Sequence, residues 1–91
     1  MALDIKHDET QRRFTTEVDG VTCVLDYTLQ GDVMTITHTG VPEAVGGRGI
    51  AGELVRAAVA TARARGWKVV PACSYAQAWL QRHPQEAEGL R

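Results

Sequence analysis

The segment from Val45 to Gly52 carries four glycines within seven positions, where an extended part of the chain gives way to a helical pattern. A strand-to-helix turn leaves the N–H groups of the first helical turn without acceptors, and glycine lets a ligand approach them closely. The helix dipole adds about half a positive charge there, so a phosphate or pyrophosphate is the natural occupant. Arg48 adds a cation inside the turn. The segment predicts an anion-binding turn, with a connection that binds nothing as the simpler alternative.

Two common phosphate motifs do not fit this segment. No Gly-Lys-Ser/Thr follows the glycines, so the turn is not a P-loop. A single strand–helix unit without an acidic residue at the next strand tip is too little for a dinucleotide-binding fold.

Size and charge restrict what could bind. The chain has 91 residues, which predicts one domain over 1–91 with a small core. Ten basic residues against eleven acidic ones argue against general attraction to nucleic acid or to an anionic membrane. Neither a signal core nor a run approaching the ~20 apolar residues of a membrane span occurs, so the cytoplasm is the expected location. Cys23 and Cys73 are expected to remain thiols.

The first part of the chain has the pattern of β-structure. Residues 1–42 are rich in Thr, Val and Asp, with turn signals at Asp19-Gly20 and Gly31-Asp32. This pattern predicts three antiparallel strands and a short strand before them. The predicted ranges are 12–18, 21–30 and 33–40, preceded by Ala2–Lys6.

The second part alternates helix and strand. Apolar residues recur at helical spacing over 49–65, and Gly66 is a natural stop. A strand is predicted over 67–73, and the strand–helix–strand order implies a right-handed crossover that makes two strands parallel. The expected fold is α/β, with a mostly antiparallel sheet, one parallel crossover and two helices.

Pro71 is unusual inside a strand, because proline cannot donate to the hydrogen-bond ladder. Pairing with the neighbouring strand is therefore expected to lapse there. Ser74 and Gln77 have the spacing of a capping box, which predicts a second helix over 75–83 that ends before Pro84. Cys73 would then lie one residue before the N-cap.

Four runs carry a likeness to a known family: His38–Glu43, Gly47–Ala51, Val70–Tyr75 and Arg82–Pro84. Through them, nearly the whole chain resembles the smallest stand-alone members of the GNAT acetyltransferase superfamily. The resemblance implies a minimal GNAT-like fold, in which the glycine turn holds the pyrophosphate of acetyl-CoA and the pantetheine arm lies between two splayed parallel strands. Gly46 stands where that family's turn has Gln or Arg, so one phosphate contact would be missing.

The resemblance also implies a set of CoA-binding residues. The backbone of the glycine turn would meet the pyrophosphate, and a backbone N–H within Thr39–Val41 would meet the oxyanion of the reaction. The residues expected to bind acetyl-CoA are Thr39, Val41, Gly46, Gly47, Arg48, Gly49, Ile50, Ala51, Cys73 and Tyr75.

Four side chains are candidates for catalysis. Cys73 lies near a predicted helix N-terminus, whose field favours a thiolate, so it could receive the acetyl group or merely line the pocket. His38 alternates with Met34 and Ile36, which favours a packed structural role over that of general base. Glu43 is a rival base or a solvated carboxylate. Tyr75 could protonate the departing CoA thiolate or simply pack its ring.

These observations together predict an acetyl-CoA-dependent N-acetyltransferase. The acceptor is an amine, either a protein lysine or N-terminus or a small amine, and no metal is expected. A CoA-binding module with little turnover is the alternative. A protein-interaction domain without a ligand would leave the glycine turn and Pro71 unexplained.

Overall fold

The computed structural model describes residues 3–90. Its strands are β1 (Lys6–Asp8), β2 (Arg13–Val18), β3 (Val21–Gln30), β4 (Val33–Gly40) and β5 (Lys68–Pro71). Its helices are α1 (Ile50–Arg65), α2 (Ser74–Arg82) and α3 (Pro84–Ala87), with one 3₁₀ turn at Glu43–Val45. The predicted helices and the three longer strands of the first part lie within one residue of these bounds. The predicted first strand is misplaced, since β1 begins at Lys6, and Ala2 lies outside the described residues.

The five strands form one sheet in the order β1-β2-β3-β4-β5. Neighbours are antiparallel except β4 and β5, which are parallel and joined by α1. The β2–β3 hairpin turns through Asp19 at φ 51 and Gly20 at φ 75, the two left-handed residues that a tight hairpin needs. At the far end of α1, Gly66 adopts φ 72 and its N–H reaches Ala62 O and Arg63 O. The predicted fold class is confirmed.

The hydrophobic core lies between α1 and one face of the sheet. Trp79 and Leu80 of α2, together with Leu90, belong to the same core. The opposite face of the sheet is solvent-exposed or half-exposed, and Val70 there has 45% of its surface accessible. No helix within residues 3–90 is both long and apolar enough to cross a membrane. The core side chains of the sheet are Phe14, Val18, Cys23, Leu25, Tyr27, Met34, Ile36 and Val69, and those of α1 are Ile50, Leu54, Val55, Ala58, Val59 and Ala62.

A β-bulge in β4 corrects the prediction for His38. Tyr27 pairs with Ile36, but the preceding residue Asp26 pairs with His38, so Thr37 is an extra residue on β4. One inserted residue moves every later side chain to the other face. His38 is therefore exposed on the outer face rather than packed beside Ile36, and Thr39 takes the core side.

The pairing of β4 and β5 stops where Pro71 predicts. Their register ends at Ile36 opposite Pro71, and the carbonyl of Ile36 accepts from the N–H groups of both Ala72 and Cys73 at 3.0 Å. Beyond this point β4 continues along β3 to Gly40, while the chain after β5 turns into α2. The two parallel strands separate here, and the predicted strand 67–73 is accordingly shorter.

The start of α2 differs from the predicted capping box. Cys73, not Ser74, is the N-cap residue, and its sulfur accepts from the N–H of Ala76 at 3.3 Å. Ser74 is exposed in the first helical position. Pro84 does end α2, but it also begins the unpredicted α3, because proline fits the first turn of a helix, where an N–H is dispensable.

Candidate functional site

The glycine turn forms an open cradle at the N-terminus of α1. Gly47 and Gly49 have φ values of 78 and 77, which L side chains rarely adopt, and the space beside each is empty. Gly49 is the N-cap, and the first helical hydrogen bond runs from Glu53 N–H to Gly49 O at 3.2 Å. The N–H groups of Ile50, Ala51 and Gly52 precede that bond and have no helical acceptor.

A cavity of about 340 Å³ lies over this cradle. It brings together most of the residues that the sequence predicts to bind the pyrophosphate, and it adds the ring of Tyr75 from α2. Ile50 contributes backbone only, because its side chain is 2% exposed and packs in the core. The lining residues are Val41, Gly46, Gly47, Gly49, Ile50, Ala51 and Tyr75.

Gly52 brings α2 against the start of α1. A Cβ built on Gly52 would lie 3.1 Å from Trp79 Nε1 and 3.3 Å from the Tyr75 hydroxyl, so any side chain would push these rings away. A glycine inside a helix costs about 1 kcal/mol relative to alanine. Here the missing side chain allows the close approach that places Tyr75 at the cradle.

Arg48 does not point freely into the cradle. Its Nη1 donates to Asp19 Oδ2 at 2.7 Å, and both side chains are largely exposed. This ion pair links the glycine turn to the β2–β3 hairpin. Exposed pairs of this kind are worth about 0–1 kcal/mol, so an arriving phosphate can compete with Asp19 for the guanidinium.

Cys73 lies two residues beyond the end of the β4–β5 ladder at Pro71. Its Sγ is 3.5 Å from the hydroxyl of Thr39, which the bulge has turned to this side, and the N–H of Ala76 donates to it. The side chain is half-buried. Cys23 is different, because it is fully buried in the core, and this burial raises the pKa of its thiol.

The remaining candidates stand apart from this thiol. His38 is exposed on the outer face of the sheet. The carboxylate of Glu43 is exposed on the 3₁₀ turn, while its carbonyl accepts from Gly46 N–H at 3.0 Å and shapes the cradle. The structure thus gathers the cradle residues with Tyr75, and Thr39 with Cys73, but brings neither proposed base into hydrogen-bond contact with Cys73.

Sequence reasoning missed three contributions. The Thr39 side chain was unforeseen because the bulge that turns it has no local sequence signal. The partner Asp19 is distant in the sequence from Arg48. Gly52 did carry a signal, since a glycine inside a helical pattern often marks close packing.

Fold and site define an α/β domain with a cavity over the glycine-rich N-terminus of α1 and a parallel β4–β5 ladder that ends at Pro71. Residues 13–89 match the family model of the GCN5-related N-acetyl-transferases. This chain is 34% identical to Protein NATD1 of Homo sapiens over 85 residues, which cover 90% of this chain and 75% of that protein. Identity to Protein NATD1 of Gallus gallus is 33% over 85 residues, covering 77% of it.

A solved structure agrees with these relatives. The solution structure of a GCN5-like protein from Staphylococcus aureus matches with a TM-score of 0.73 at 29% identity, over 92% of this chain and 83% of that one. The chain therefore belongs to the GCN5-related N-acetyltransferase family.

Proposed function

We propose that this protein is an N-acetyltransferase that moves the acetyl group of acetyl-CoA to an amine. The observation that carries the proposal is the end of the β4–β5 ladder at Ile36 and Pro71, which opens a gap beside Thr39 and Cys73. The cradle at α1 lies on one side of this gap. A pyrophosphate in the cradle would leave the gap for the pantetheine arm and its thioester.

The cradle would bind the pyrophosphate mainly through its backbone. The free N–H groups at Ile50, Ala51 and Gly52 and the dipole of the sixteen-residue helix all favour an anion there. Gly46 offers no side chain, so Arg48 would be the one cation inside the turn, released from Asp19 when the phosphate arrives. Val41 and Tyr75 would line the path toward the gap.

The oxyanion of the reaction would be stabilised by the backbone after the bulge. Ile36 directs its carbonyl toward β5. Backbone groups alternate between the two neighbouring strands, and the extra residue Thr37 shifts this alternation by one. The N–H of Thr39 would then point to the side of β4 that no longer pairs with β5. This direction is consistent with an oxyanion donor within Thr39–Val41.

Acetyl transfer has two possible routes. In the direct route, the free amine attacks the thioester carbonyl and loses a proton to a base, and the CoA thiolate leaves and is protonated. In the other route, the Cys73 thiolate attacks first and releases CoA, and the amine then takes the acetyl group and restores the thiol. Tyr75 would supply the proton to the CoA thiolate, and His38, Glu43 or water would accept the proton of the amine.

One observation favours the second candidate function, a CoA-binding module with little turnover. The hydrogen-bond partners of the Cys73 thiol within residues 3–90 are the hydroxyl of Thr39 and the N–H of Ala76, and neither is a base. A protein that only holds acyl-CoA would need the cradle and the gap but no proton acceptor.

Calorimetry with acetyl-CoA, combined with mass spectrometry of products from a mixture of amines, separates the two functions. A transferase should bind acetyl-CoA below about 1 mM and yield acetylated amine in amounts that exceed the protein. Binding without product would favour the module. Absence of binding would contradict both.

A further inference from the structure

The cation of the glycine turn is held outside the cavity at the start of α1. Arg48 lies between Gly47 and Gly49, and both of these glycines line the cavity. Arg48 itself is not a lining residue. Its Nη1 donates instead to Asp19 Oδ2 at 2.7 Å. The guanidinium is therefore directed to the β2–β3 hairpin rather than to the anion site.

The fold brings Asp19 to this end of the sheet. β2 and β4 run in the same direction, because each is antiparallel to β3. The turn after β2 and the glycine turn after β4 therefore lie at the same end. Asp19 adopts φ 51 in its turn, where asparagine fits equally well. The hairpin thus does not need the charge of Asp19, and the contact that uses this charge is the one with Arg48.

The charged side chains of the segments that build the cradle are mostly acidic. Glu43 is exposed on the 3₁₀ turn, and Glu53 is exposed in the first turn of α1. Together with Asp19 they contribute three carboxylates against the guanidinium of Arg48. The attraction of the cradle for an anion therefore comes from the backbone N–H groups and the helix dipole. Arg48 is the side chain of these segments that can add to it.

A phosphate in the cradle and the carboxylate of Asp19 compete for this guanidinium. The side chains of Arg48 and Asp19 are 44% and 67% exposed, so their ion pair is weak and can open. A contact between Arg48 and phosphate replaces the contact with Asp19, and the ionised Asp19 also repels the phosphate. Both effects have the same sign, because each lowers the affinity for a ligand that carries phosphate.

We propose that Asp19 is a positioning residue that holds Arg48 away from the cradle and thereby weakens the binding of acetyl-CoA and of free CoA. This inference rests on the acetyl-CoA binding of the proposed function. Binding of CoA and the Asp19–Arg48 contact at the hairpin tip exclude each other. Free CoA keeps every phosphate contact of acetyl-CoA, so a weakened phosphate site favours release of the product.

The test is calorimetry of the full chain with acetyl-CoA at about 0.15 M salt. Asp19→Asn keeps the left-handed turn and removes the charge. It should lower the dissociation constant about two- to fivefold, the range expected from an exposed ion pair. The gain should fade toward about 1 M salt, where exposed charges are screened. In a protein that also carries Arg48→Met, the gain from Asp19→Asn should be clearly smaller, because no guanidinium is left to release.

Asp32→Asn is the matched control. Asp32 is exposed in the turn between β3 and β4, so the same charge is removed at the opposite end of the sheet. The eight residues of β4 span about 26 Å, well beyond the screening length of about 8 Å, and acetyl-CoA affinity should not change.

Two results would overturn the role of Asp19 while leaving acetyl-CoA binding intact. One is unchanged or weaker binding by Asp19→Asn, and the other is an equal gain with and without Arg48→Met. Failure of the proposed function itself looks different, because then the wild type gives no heat with acetyl-CoA.

Discussion

The junction from β4 to α1 and the junction from β5 to α2 treat the free N–H groups at a helix start in opposite ways. Each helix begins with N–H groups that lack helical acceptors. At the start of α1, Gly49 has no side chain to accept from them, and they face an open cavity. At the start of α2, the sulfur of Cys73 accepts from Ala76 N–H, and the thiol is held beside Thr39.

This difference assigns different tasks to the two junctions. The uncapped junction leaves backbone donors for an anion from outside the chain, and its glycines keep the approach clear. At the capped junction, the N–H of Ala76 donates to the thiol of Cys73 and orients it. The side chain of Cys73 therefore takes the position that a ligand could occupy at an uncapped helix. In the proposed reaction the first junction holds CoA and the second meets the acetyl group.

The largest expected effect separates the two cysteines. Iodoacetamide at neutral pH should modify Cys73 at least on the order of a hundredfold faster than Cys23, because a fully buried thiol reacts only when the fold opens. Peptide mapping after timed labelling measures the two rates. In urea both thiols should react at similar rates, and bound CoA should slow Cys73 in the native protein. Faster labelling of Cys23 than of Cys73 would contradict the position of the second junction.

A substitution at Gly49 tests the uncapped junction. Gly49→Asp should weaken CoA binding on the order of a hundredfold, since it places a carboxylate where the pyrophosphate binds, in a backbone conformation of φ 77. Gly49→Asn is the matched control, because asparagine has the same shape, tolerates the left-handed region and carries no charge. Calorimetry should show a clearly smaller loss for Asn. Equal affinity of Gly49→Asp and wild type would show that the cradle does not bind CoA.

The capped junction makes a separate prediction about stability. Cys73→Ala should lower the free energy of unfolding by up to about 1 kcal/mol, the usual cost of losing an oxygen N-cap, because sulfur is a weaker acceptor, whereas Cys73→Ser should keep the cap. Urea titration measures this difference. The same pair tests the route of transfer: full turnover by both variants would exclude acetyl-Cys73 as an intermediate. Equal stability of wild type and Cys73→Ala would mean that the sulfur contact contributes nothing.

The sequence predicts the uncapped junction better than the capped one for a physical reason. The requirements of the cradle are local, since Gly47 and Gly49 need positive φ and a clear approach, and both can be recognised in a short segment. The surroundings of Cys73 depend on Thr39, which reaches it only because a bulge at Thr37 reverses the faces of β4. No pattern within the β4 sequence indicates that bulge. The prediction from strict alternation therefore wrongly placed His38 on the core side of the strand.

Other parts of the site were predictable to different degrees. Pro71 correctly marks the end of the parallel ladder, because its missing N–H is a property of the residue itself. The cap at α2 was assigned to Ser74, the residue type that usually caps, although the sulfur one position earlier takes that role. The pairing of Arg48 with Asp19 depends on tertiary structure, and composition cannot reveal it.

The smallest expected effect adds a side chain to the uncapped junction. Gly46 has an ordinary backbone conformation, with φ −68 and ψ 162, and a Cβ there would meet nothing closer than Glu43 O at 3.4 Å. Gly46→Arg should therefore fold normally and tighten CoA binding by up to about 1 kcal/mol through one charge-assisted contact. The gain should fade as salt is raised from about 0.01 to 1 M, because the contact is exposed. Gly46→Gln, which has a similar reach but no charge, should show a smaller gain without the salt dependence. Unchanged or weaker affinity of the arginine variant would mean that position 46 does not face the phosphates, and that the backbone of α1 alone holds them.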